Sequence, residues 1–408
     1  MSAPTLEDLT PQGCDVTADP YPVYAALREK GPVHRIHVPG TGDAWLVLGR
    51  DEVRAGLTDP RLSNDIRHSA SWQSDGGHAL GVNMLQTDAP RHTRLRVLVA
   101  REFTPGRIQA LEPRVRQIAD GLLDDLLDGP LAAPHGSGTD LVASYALPLP
   151  LTVICELLGV PAPDRHRFHA WSAELVAPAS AGTAAAAAAG MTEYFAQLIG
   201  RRAAAPGPDL MSALVAASVR EDGLSAEELL GMAFLLLVAG HETTVNLISS
   251  GTLHLLRHPD QLAALRADPA LLEGAVEEVL RYDGPVTAAA FRYAAAPLEI
   301  GGTRIPAGDS VMLSLASASR DPRHFPDPDR FDIRRPPRGH LAFGHGIHHC
   351  LGAPLARLEG RVALEVLLRR LPGLALAADA GSLPRRPGAM LRGVAELPVH
   401  RGRMEAAG

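Results

Sequence analysis

The chain has 408 residues, of which 46% are hydrophobic and 21% charged, and its formal net charge is −7. A net-acidic chain of this kind has no general electrostatic attraction to nucleic acid or to an anionic membrane, so neither is expected as a partner. The three cysteines, Cys14, Cys155 and Cys350, share no close spacing, which argues against a disulfide framework and agrees with a reducing cytoplasm.

The N-terminal segment Met1–Pro20 is polar and acidic and lacks the apolar stretch of a secretion signal. No run reaches the roughly 18 uninterrupted apolar residues that a membrane-spanning helix needs. The longest apolar run, Met232–Ala239, leads into Gly240-His241-Glu242 and is interpreted as part of a buried helix. We therefore expect a soluble, cytoplasmic protein.

The residue patterns predict one mainly α-helical domain with small β-sheets over residues 1–408. A helix is predicted at Tyr21–Lys30, and helical patterns dominate most later segments. Alanine's helix propensity favours a helix over an exposed linker for the tract Ala184–Ala189. The strand-like runs are short: Ala44–Leu48, Leu298–Ile300 and Ser310–Ser314.

Two basic residues, His92 and Arg96, follow Asp88-Ala89-Pro90, which is a typical entry into a helix. Side chains at positions i and i+4 emerge from the same helix face. An arginine offers two parallel donors that match a carboxylate. Taken alone, the same pattern also describes a basic face exposed to solvent.

The longest predicted helix begins at Ser225. Ser225 and Glu228 form a capping box, in which each side chain bonds the other residue's backbone N–H group. An apolar-rich pattern then continues to about Leu256 and stops before His258-Pro259. A helix of about 30 residues is roughly 45 Å long, so it crosses a domain and lets its middle face a central cavity.

The segment Ala239–Thr244 interrupts that apolar pattern with glycine, acid and alcohol side chains. Glycine costs about 1 kcal/mol relative to alanine inside a helix, and a buried carboxylate such as Glu242 is expensive unless it is hydrogen-bonded. Thr243 can bond a preceding carbonyl and loosen the helix. The sequence shows no structural requirement for these residues at the middle of a helix, so they suggest a groove for dioxygen and water. The alternative is a solvent-facing glutamate beside an incidental glycine.

The most informative segment is Phe343–Gly352, because it places Cys350 in a glycine-punctuated loop before a predicted helix, Ala353–Arg369. A thiol there would lie near backbone N–H groups and a helix dipole that lower its pKa. The glycines, Gly344, Gly346 and Gly352, permit positive φ or the close approach of a flat partner.

A single thiolate in such a loop is a ligand for haem iron. Two alternatives exist. The cysteine is an inert buried residue, or it binds zinc together with His345, His348 or His349. Zinc sites usually draw ligands from two paired clusters, and the sequence has no second cluster.

These motifs resemble those of the cytochrome P450 family. The loop around Cys350 matches Phe-x-x-Gly-x-x-x-Cys-x-Gly at every fixed position, segment 239–244 resembles the oxygen-activation motif, and Glu278-Val279-Leu280-Arg281 resembles the Glu-x-x-Arg helix. The resemblance covers essentially the whole chain and is greatest to soluble actinomycete enzymes that tailor macrolides and other polyketides. It implies the P450 fold, with a long central helix across the haem and no fused reductase domain.

The resemblance also implies roles for individual residues. Cys350 would bind the iron of haem b (iron protoporphyrin IX). Thr243 and Glu242 would be catalytic, the first in oxygen activation and the second in relaying protons. The haem propionates would be held by four basic residues: His92, Arg96, Arg292 and His348.

The remaining implied roles are structural or concern partners. Glu278 and Arg281 would lock the core, with Arg330 completing their network. Electrons would come from a ferredoxin and its NAD(P)H-dependent reductase. An acidic ferredoxin would be attracted by a basic patch to which Arg101, Arg334, Arg335 and Arg338 contribute, with His345 near it; scattered surface arginines are the alternative.

The implied activity is that of a haem-thiolate monooxygenase, which inserts one oxygen atom from O2 into a C–H bond of a bulky lipophilic macrolide-like metabolite in antibiotic biosynthesis. Alternatives are epoxidation or another oxidative tailoring, a terpenoid, steroid or carrier-bound substrate, use of hydrogen peroxide, and a non-catalytic recruitment module of the same fold. A monomer is expected. The segments expected to line the pocket are Ser69–Leu85, Leu175–Ala181, Leu235–Ala239, Val286–Ala289 and Met390–Leu391.

Overall fold

The computed structural model describes residues 3–72, 82–133, 138–176, 180–219, 222–386 and 390–402. These residues form mainly helices with small sheets, which confirms the predicted fold class. The helices are α1 (Tyr21–Lys30), α2 (Arg50–Thr58), α3 (Arg91–Ala100), α4 (Pro105–Gln109), α5 (Glu112–Asp128), α6 (Pro148–Leu157), α7 (Arg165–Val176), α8 (Ala181–Ala204), α9 (Leu210–Ser218), α10 (Ala226–Arg257), α11 (Pro259–Ala267), α12 (Leu272–Asp283), α13 (Leu315–Ala318) and α14 (Ala353–Arg370). The strands are β1 (Val33–Val38), β2 (Gly42–Val47), β3 (Leu62–Ser63), β4 (Thr139–Asp140), β5 (Arg292–Ala294), β6 (Leu298–Ile300), β7 (Thr303–Ile305), β8 (Ser310–Leu313), β9 (Leu374–Leu376) and β10 (Pro398–Arg401).

The largest sheet orders its strands β1-β2-β8-β5-β3, and smaller sheets join β4-β10-β9 and β6-β7. Strands β2 and β8 run parallel, whereas the other neighbours in the large sheet are antiparallel. Apolar residues of this sheet, such as Val47 and Leu313, pack with Val53 and Leu57 of α2. Because β5 begins at Arg292, the position of this sheet decides where that guanidinium lies.

Helix α10 is the core of the helical part of the molecule. It begins after the predicted capping box, in which the Glu228 N–H donates to Ser225 Oγ at 3.1 Å and the Ser225 N–H donates to Glu228 Oε2 at 3.0 Å. The helix packs against α6, α8, α12 and α14. It alone among the described helices is long and apolar enough to cross a membrane, and 67% of its most apolar stretch is buried inside the protein. That burial accounts for its apolar pattern as a core helix.

The alanine-rich tract lies inside α8, so the prediction of a helix is confirmed there. Ser180 begins this helix with a capping box that includes Thr183. Further along, a Cβ on Gly190 would lie 2.9 Å from Nε1 of Trp171 in α7. The glycine therefore lets α7 and α8 approach closely at that point.

The Glu278–Arg281 pair is buried and bidentate, with N–O distances of 2.7 and 2.8 Å. Arg281 also donates to the carbonyl oxygens of Pro328 and Arg330, at 2.8 and 3.1 Å. Arg330 therefore joins the predicted network through its backbone carbonyl, whereas its side chain is 64% exposed and pairs with Asp332. The side chain that reaches the pair is that of Arg335, with its Nε 3.3 Å from Glu278 Oε2, so Arg335 is unavailable for the predicted basic surface patch.

Asp283, at the end of α12, is a second buried anion that joins distant segments. It accepts hydrogen bonds from Arg392 Nε at 2.6 Å and from the Tyr21 hydroxyl at 3.2 Å, and His254 Nε2 lies 2.9 Å away. Burial raises the pKa of Asp283, but Arg392, His254 and Arg385 outweigh burial and hold that pKa well below its usual value. The charged carboxylate therefore ties α1, α10 and α12 to the C-terminal segment.

We expect Asp283→Asn to lower the free energy of unfolding by about 3–5 kcal/mol, because Arg392 then stays buried without an anion. Asp124→Asn is the control, since Asp124 is 61% exposed and pairs with Arg370 on the surface. The control should lose less than about 1 kcal/mol. Urea unfolding followed by circular dichroism measures both variants. Equal losses of stability in the two variants would contradict the conclusion that the buried Asp283 carboxylate contributes more to stability than a surface carboxylate.

Candidate functional site

The segment 343–352 forms a tight loop that leads into α14. The Cys350 N–H donates to the Phe343 carbonyl at 2.9 Å. Gly344 and Gly346 have φ of 72° and 76°, which favours glycine at both positions. Gly352 has an ordinary φ of −80° and is the N-cap residue directly before α14. The loop thereby places the Cys350 sulfur at the wall of a cavity.

Backbone N–H groups at the start of α14 approach the Cys350 sulfur, as predicted, but they do not decide its pKa. Burial raises the pKa of Cys350, and the N–H groups of Gly352 and Ala353 with the charges of Arg96 and Arg357 oppose that rise without cancelling it. The prediction of a lowered pKa is therefore wrong for the free thiol, because desolvation is the larger effect. A metal ion bound to the sulfur would favour the thiolate.

Helix α2 supports the loop from outside. A Cβ on Gly346 would lie 2.9 Å from Thr58 Cγ2 and 3.1 Å from the Leu57 carbonyl oxygen. Arg54 Nε donates to His345 Nε2 at 3.4 Å. Arg54 and His345 are 291 positions apart, so no local sequence signal indicates this packing.

The histidines of the loop do not form a zinc site with the cysteine. His345 contacts Arg54, and the backbone carbonyl of His349 accepts a hydrogen bond from Arg96 Nη2 at 2.7 Å. Within the residues that the structure describes, no three His, Cys, Asp or Glu side chains are grouped to hold a metal ion. The zinc alternative therefore has no ligand set in this part of the chain.

One cavity brings Cys350 together with the four basic residues predicted from the sequence. Helix α3 supplies His92 and Arg96, β5 supplies Arg292, and the loop supplies His348. The rings of His92 and His348 lie with their centroids 4.3 Å apart. Three elements that are distant in sequence thus converge on one space.

Several nitrogens of this basic group have no hydrogen-bond partner in the described part of the chain: both ring nitrogens of His92, Nε2 of His348 and Nε of Arg292. Burial, with the charges of Arg292, His92 and Arg96, lowers the pKa of His348 to about 3. Burial also lowers the pKa of Arg292 to about 10. Buried donors without an anion are unfavourable until a ligand supplies acceptors. The donor set fits a ligand that carries carboxylates, as haem does.

The middle of α10 contributes Thr243 and Gly240 to the same cavity. Thr243 Oγ1 donates to the Ala239 carbonyl at 3.0 Å, which is the back-bond that the sequence predicts. A Cβ on Gly240 would lie 3.0 Å from Ile154 Cδ1 of α6. The expectation that no structural requirement explains this glycine is wrong, because the contact between α6 and α10 leaves little room for a side chain.

Glu242 adjoins Thr243 but does not line the cavity. The carboxylate is 2% exposed, accepts from Arg386 Nη1 at 2.8 Å, and has His241 Nε2 at 3.4 Å. Burial raises the pKa of Glu242, but the contact with His241 and the charges of Arg386 and His169 outweigh burial and leave that pKa below its usual value. Arg386 is a partner that sequence reasoning missed, because it lies 144 positions away.

A second acid that sequence reasoning missed is Glu359 of α14. It is 1% exposed, and its Oε2 has no hydrogen-bond partner among the described residues. Burial raises the pKa of Glu359 well above its usual value, and contact with Thr244 opposes this only partly. The neutral form of the acid is therefore favoured beside α10. A carboxylate within the apolar face of α14 was the available signal.

The other cavity walls are mainly apolar. Among the described residues, Trp72, Leu175 and Leu391 do not line the cavity, although the sequence placed them near the pocket. Residues 73–81 and 177–179 of the predicted segments lie outside the described part of the chain. The predicted segments supply Met84, Leu85, Leu235, Leu236, Ala239, Val286 and Ala289.

Known proteins resemble this chain over nearly its whole length. The cytochrome P450 family profile matches residues 191–372. Cytochrome P450 monooxygenase PikC of Streptomyces venezuelae is 54% identical over 100% of this chain and 97% of that protein. The 6-deoxyerythronolide B hydroxylase of Saccharopolyspora erythraea is 44% identical, over 97% and 98% of the two chains. The solved structure of the tirandamycin C-bound P450 monooxygenase TamI aligns with a TM-score of 0.87 and 45% identity, over 95% and 99%.

The packing of the cysteine loop on α2 predicts an unequal pair of glycine variants. Gly40 and Gly346 have φ of 77° and 76°, but a Cβ at position 40 meets nothing within 4 Å. Gly40→Ala should cost about 1–2 kcal/mol for the backbone alone. Gly346→Ala should cost a further 1–3 kcal/mol or so, because its methyl group presses on α2. Urea unfolding measures the loss of stability in both variants. Equal losses would show that α2 shifts to accommodate the methyl group without a cost in free energy.

Proposed function

This chain belongs to the cytochrome P450 family, and we propose that it inserts one oxygen atom from O2 into a C–H bond of a bulky lipophilic polyketide, such as a macrolide. The observation that carries the proposal is the convergence of Cys350, four basic side chains and Thr243 on one cavity with otherwise mainly apolar walls. Enzymes of this family are monooxygenases, so the fold and the class of reaction agree.

The cofactor proposed for this cavity is haem b. When bound, it supplies the redox chemistry that activates O2, and a thiolate ligand favours O–O cleavage. Cys350 provides the ligand, and His92, Arg96, Arg292 and His348 hold the two propionates. The unpaired buried nitrogens of His92, Arg292 and His348 support the assignment, because propionate oxygens would supply the acceptors that the described part of the protein leaves missing.

Thr243 and Glu242 manage protons in the proposed reaction. The Thr243 side chain lies at the cavity, where its hydroxyl orients a water molecule or a reacting oxygen. Glu242 is the acid next to it, and its partner Arg386 is 25% exposed, which connects the buried carboxylate to solvent. Proton delivery by a positioned acid is the general requirement for cleaving the O–O bond in the proposed reaction. Glu242 must leave Arg386 to take part.

The proposed substrate class follows from the cavity walls and from the relatives. Leucine, alanine and valine side chains line much of the cavity, which suits a substrate with a large apolar skeleton. Relatives include a 6-deoxyerythronolide B hydroxylase, a mycinamicin IV hydroxylase/epoxidase and a polyketide-biosynthesis cytochrome P450. Hydroxylation is therefore proposed first. Epoxidation, a terpenoid or steroid substrate, and a carrier-bound substrate are alternatives within the same site.

Electrons are proposed to come from a ferredoxin with its NAD(P)H-dependent reductase. The exposed arginines Arg101, Arg334 and Arg338 attract an acidic partner, whereas Arg335 is occupied by Glu278 and does not contribute. We further propose that residues 1–408 act as one haem domain and that the protein is a cytoplasmic monomer.

The proposal is tested first by the reduced carbon-monoxide difference spectrum of the purified protein beside Cys350→Ala. We expect a strongly red-shifted Soret band that the variant lacks, because only a thiolate ligand produces it. Macrolide-like ligands should then shift the spin state of the oxidised protein. Absence of haem, or a spectrum indifferent to Cys350, would contradict the assignment.

The basic cavity predicts a trade between stability and cofactor retention at Arg292. Arg292→Met should stabilise the haem-free protein by about 1–3 kcal/mol, since it removes a buried charge without an anion. The same change should speed haem loss from the holoprotein, because a propionate then loses a donor. Arg304→Met on the exposed part of β7 is the control and should change neither.

Urea unfolding of the haem-free protein and haem transfer to apomyoglobin provide the two measurements. An Arg292 variant that destabilises the haem-free protein would show that the guanidinium already has an anionic partner. Unchanged haem transfer would remove Arg292 from the propionate site.

A further inference from the structure

Helix α3 has two functional faces. His92 and Arg96 turn toward the cavity, whereas Arg91 and Arg94 turn toward the start of α10. At 3.6 residues per turn, the two pairs lie about 150° apart around the helix axis. A tether on the second face therefore fixes both the rotation and the position of the first.

Glu228 of α10 provides that tether. Its Oε1 accepts a hydrogen bond from Arg91 Nε at 2.8 Å and another from Arg94 Nη2. Arg94 Nη1 also donates to the carbonyl oxygen of Gly223, at 2.6 Å. The first turn of α3 is thus held by the residues around the beginning of α10.

The Glu228 carboxylate is suited to this task because it is fixed and charged. The side chain is 3% exposed, and its other oxygen, Oε2, accepts from the Ser225 N–H in the capping box. Burial raises the pKa of Glu228, but Arg94, Ser225 and Arg91 outweigh burial and lower the pKa to about 2. The carboxylate therefore stays ionised throughout the physiological range.

We propose that Glu228 is a positioning residue for the cofactor, which holds α3 so that His92 and Arg96 meet the haem carboxylates. This inference rests on the proposed function, because it needs haem in the cavity. Glu228 itself touches neither the cavity nor Cys350. It acts through Arg91 and Arg94, in the way that residues behind a ligand shell orient the ligands.

The chain offers a matched pair of variants. Glu228→Gln keeps the capping box, since glutamine also serves at this position, but removes the charge that binds α3. Ser225→Ala removes the cap hydroxyl and leaves the carboxylate with both arginines. Arg91→Gln is a milder variant that keeps one arginine on Glu228, for use if Glu228→Gln does not fold.

Haem transfer from holoprotein to apomyoglobin measures the effect. Glu228→Gln should release haem about tenfold faster than wild type, and Arg91→Gln should lie in between. Ser225→Ala should release haem at the wild-type rate, even if its thermal stability falls by as much as that of Glu228→Gln. Amide hydrogen exchange should rise in α3 of Glu228→Gln and stay unchanged in α14, a pattern that a general loss of stability does not produce.

The inference is overturned if Glu228→Gln retains haem like wild type, or if both capping-box variants lose haem in proportion to their lost stability. Failure of the proposed function is a separate result. In that case wild type itself shows no thiolate-ligated haem in the carbon-monoxide spectrum, whereas failure of the positioning role alone leaves that spectrum normal.

Discussion

Nitrogens for which the described part of the protein supplies no acceptor line the cavity beside Cys350, together with the charged guanidinium of Arg292. Both ring nitrogens of His92, Nε of Arg292 and Nε2 of His348 are buried and lack partners among the described residues. Such an arrangement opposes folding, because each donor has lost its water without gaining an acceptor. It persists only within a scaffold stable enough to bear it, and it makes the cavity selective for an anionic ligand. Haem, with its two carboxylates, is the ligand that the proposed function places there.

Carboxylates on α10 and next to it form ion pairs that fix this helix to other parts of the protein. Glu228 ties the beginning of the helix to α3, and Glu242 ties its middle to Arg386 near the C-terminus. His254, close to its end, meets Asp283 of α12. The cavity is thus bounded by a helix that is held at three points along its length, while the small side chains between those points leave space for a reaction.

The middle of α10 combines a close contact with α6 and a hydroxyl group at the cavity wall. Gly240 lets α6 approach, and Thr243 bonds the carbonyl of Ala239, so the hydroxyl is held at the cavity wall. Glu242, one position earlier, is held outside the cavity by its ion pair. Acid and alcohol are therefore adjacent in sequence but separated in environment. This separation keeps the acid charged and connected to solvent while the alcohol faces the cavity.

The sequence by itself determined what depends on neighbouring residues: the capping box at Ser225 and the shared face of His92 and Arg96. For the loop glycines it showed only that positive φ was permitted, which Gly344 and Gly346 adopt and Gly352 does not. It also identified the family, because the motifs around Cys350 and Thr243 are local. Only the tertiary structure decided which distant groups meet. Arg335 rather than Arg330 reaches Glu278, Arg386 reaches Glu242, and burial raises the pKa of Cys350 against the helix N-terminus. The physical reason is that partner choice and desolvation depend on how elements pack, and residues on separate elements far apart in the chain leave no periodic signal of their contact.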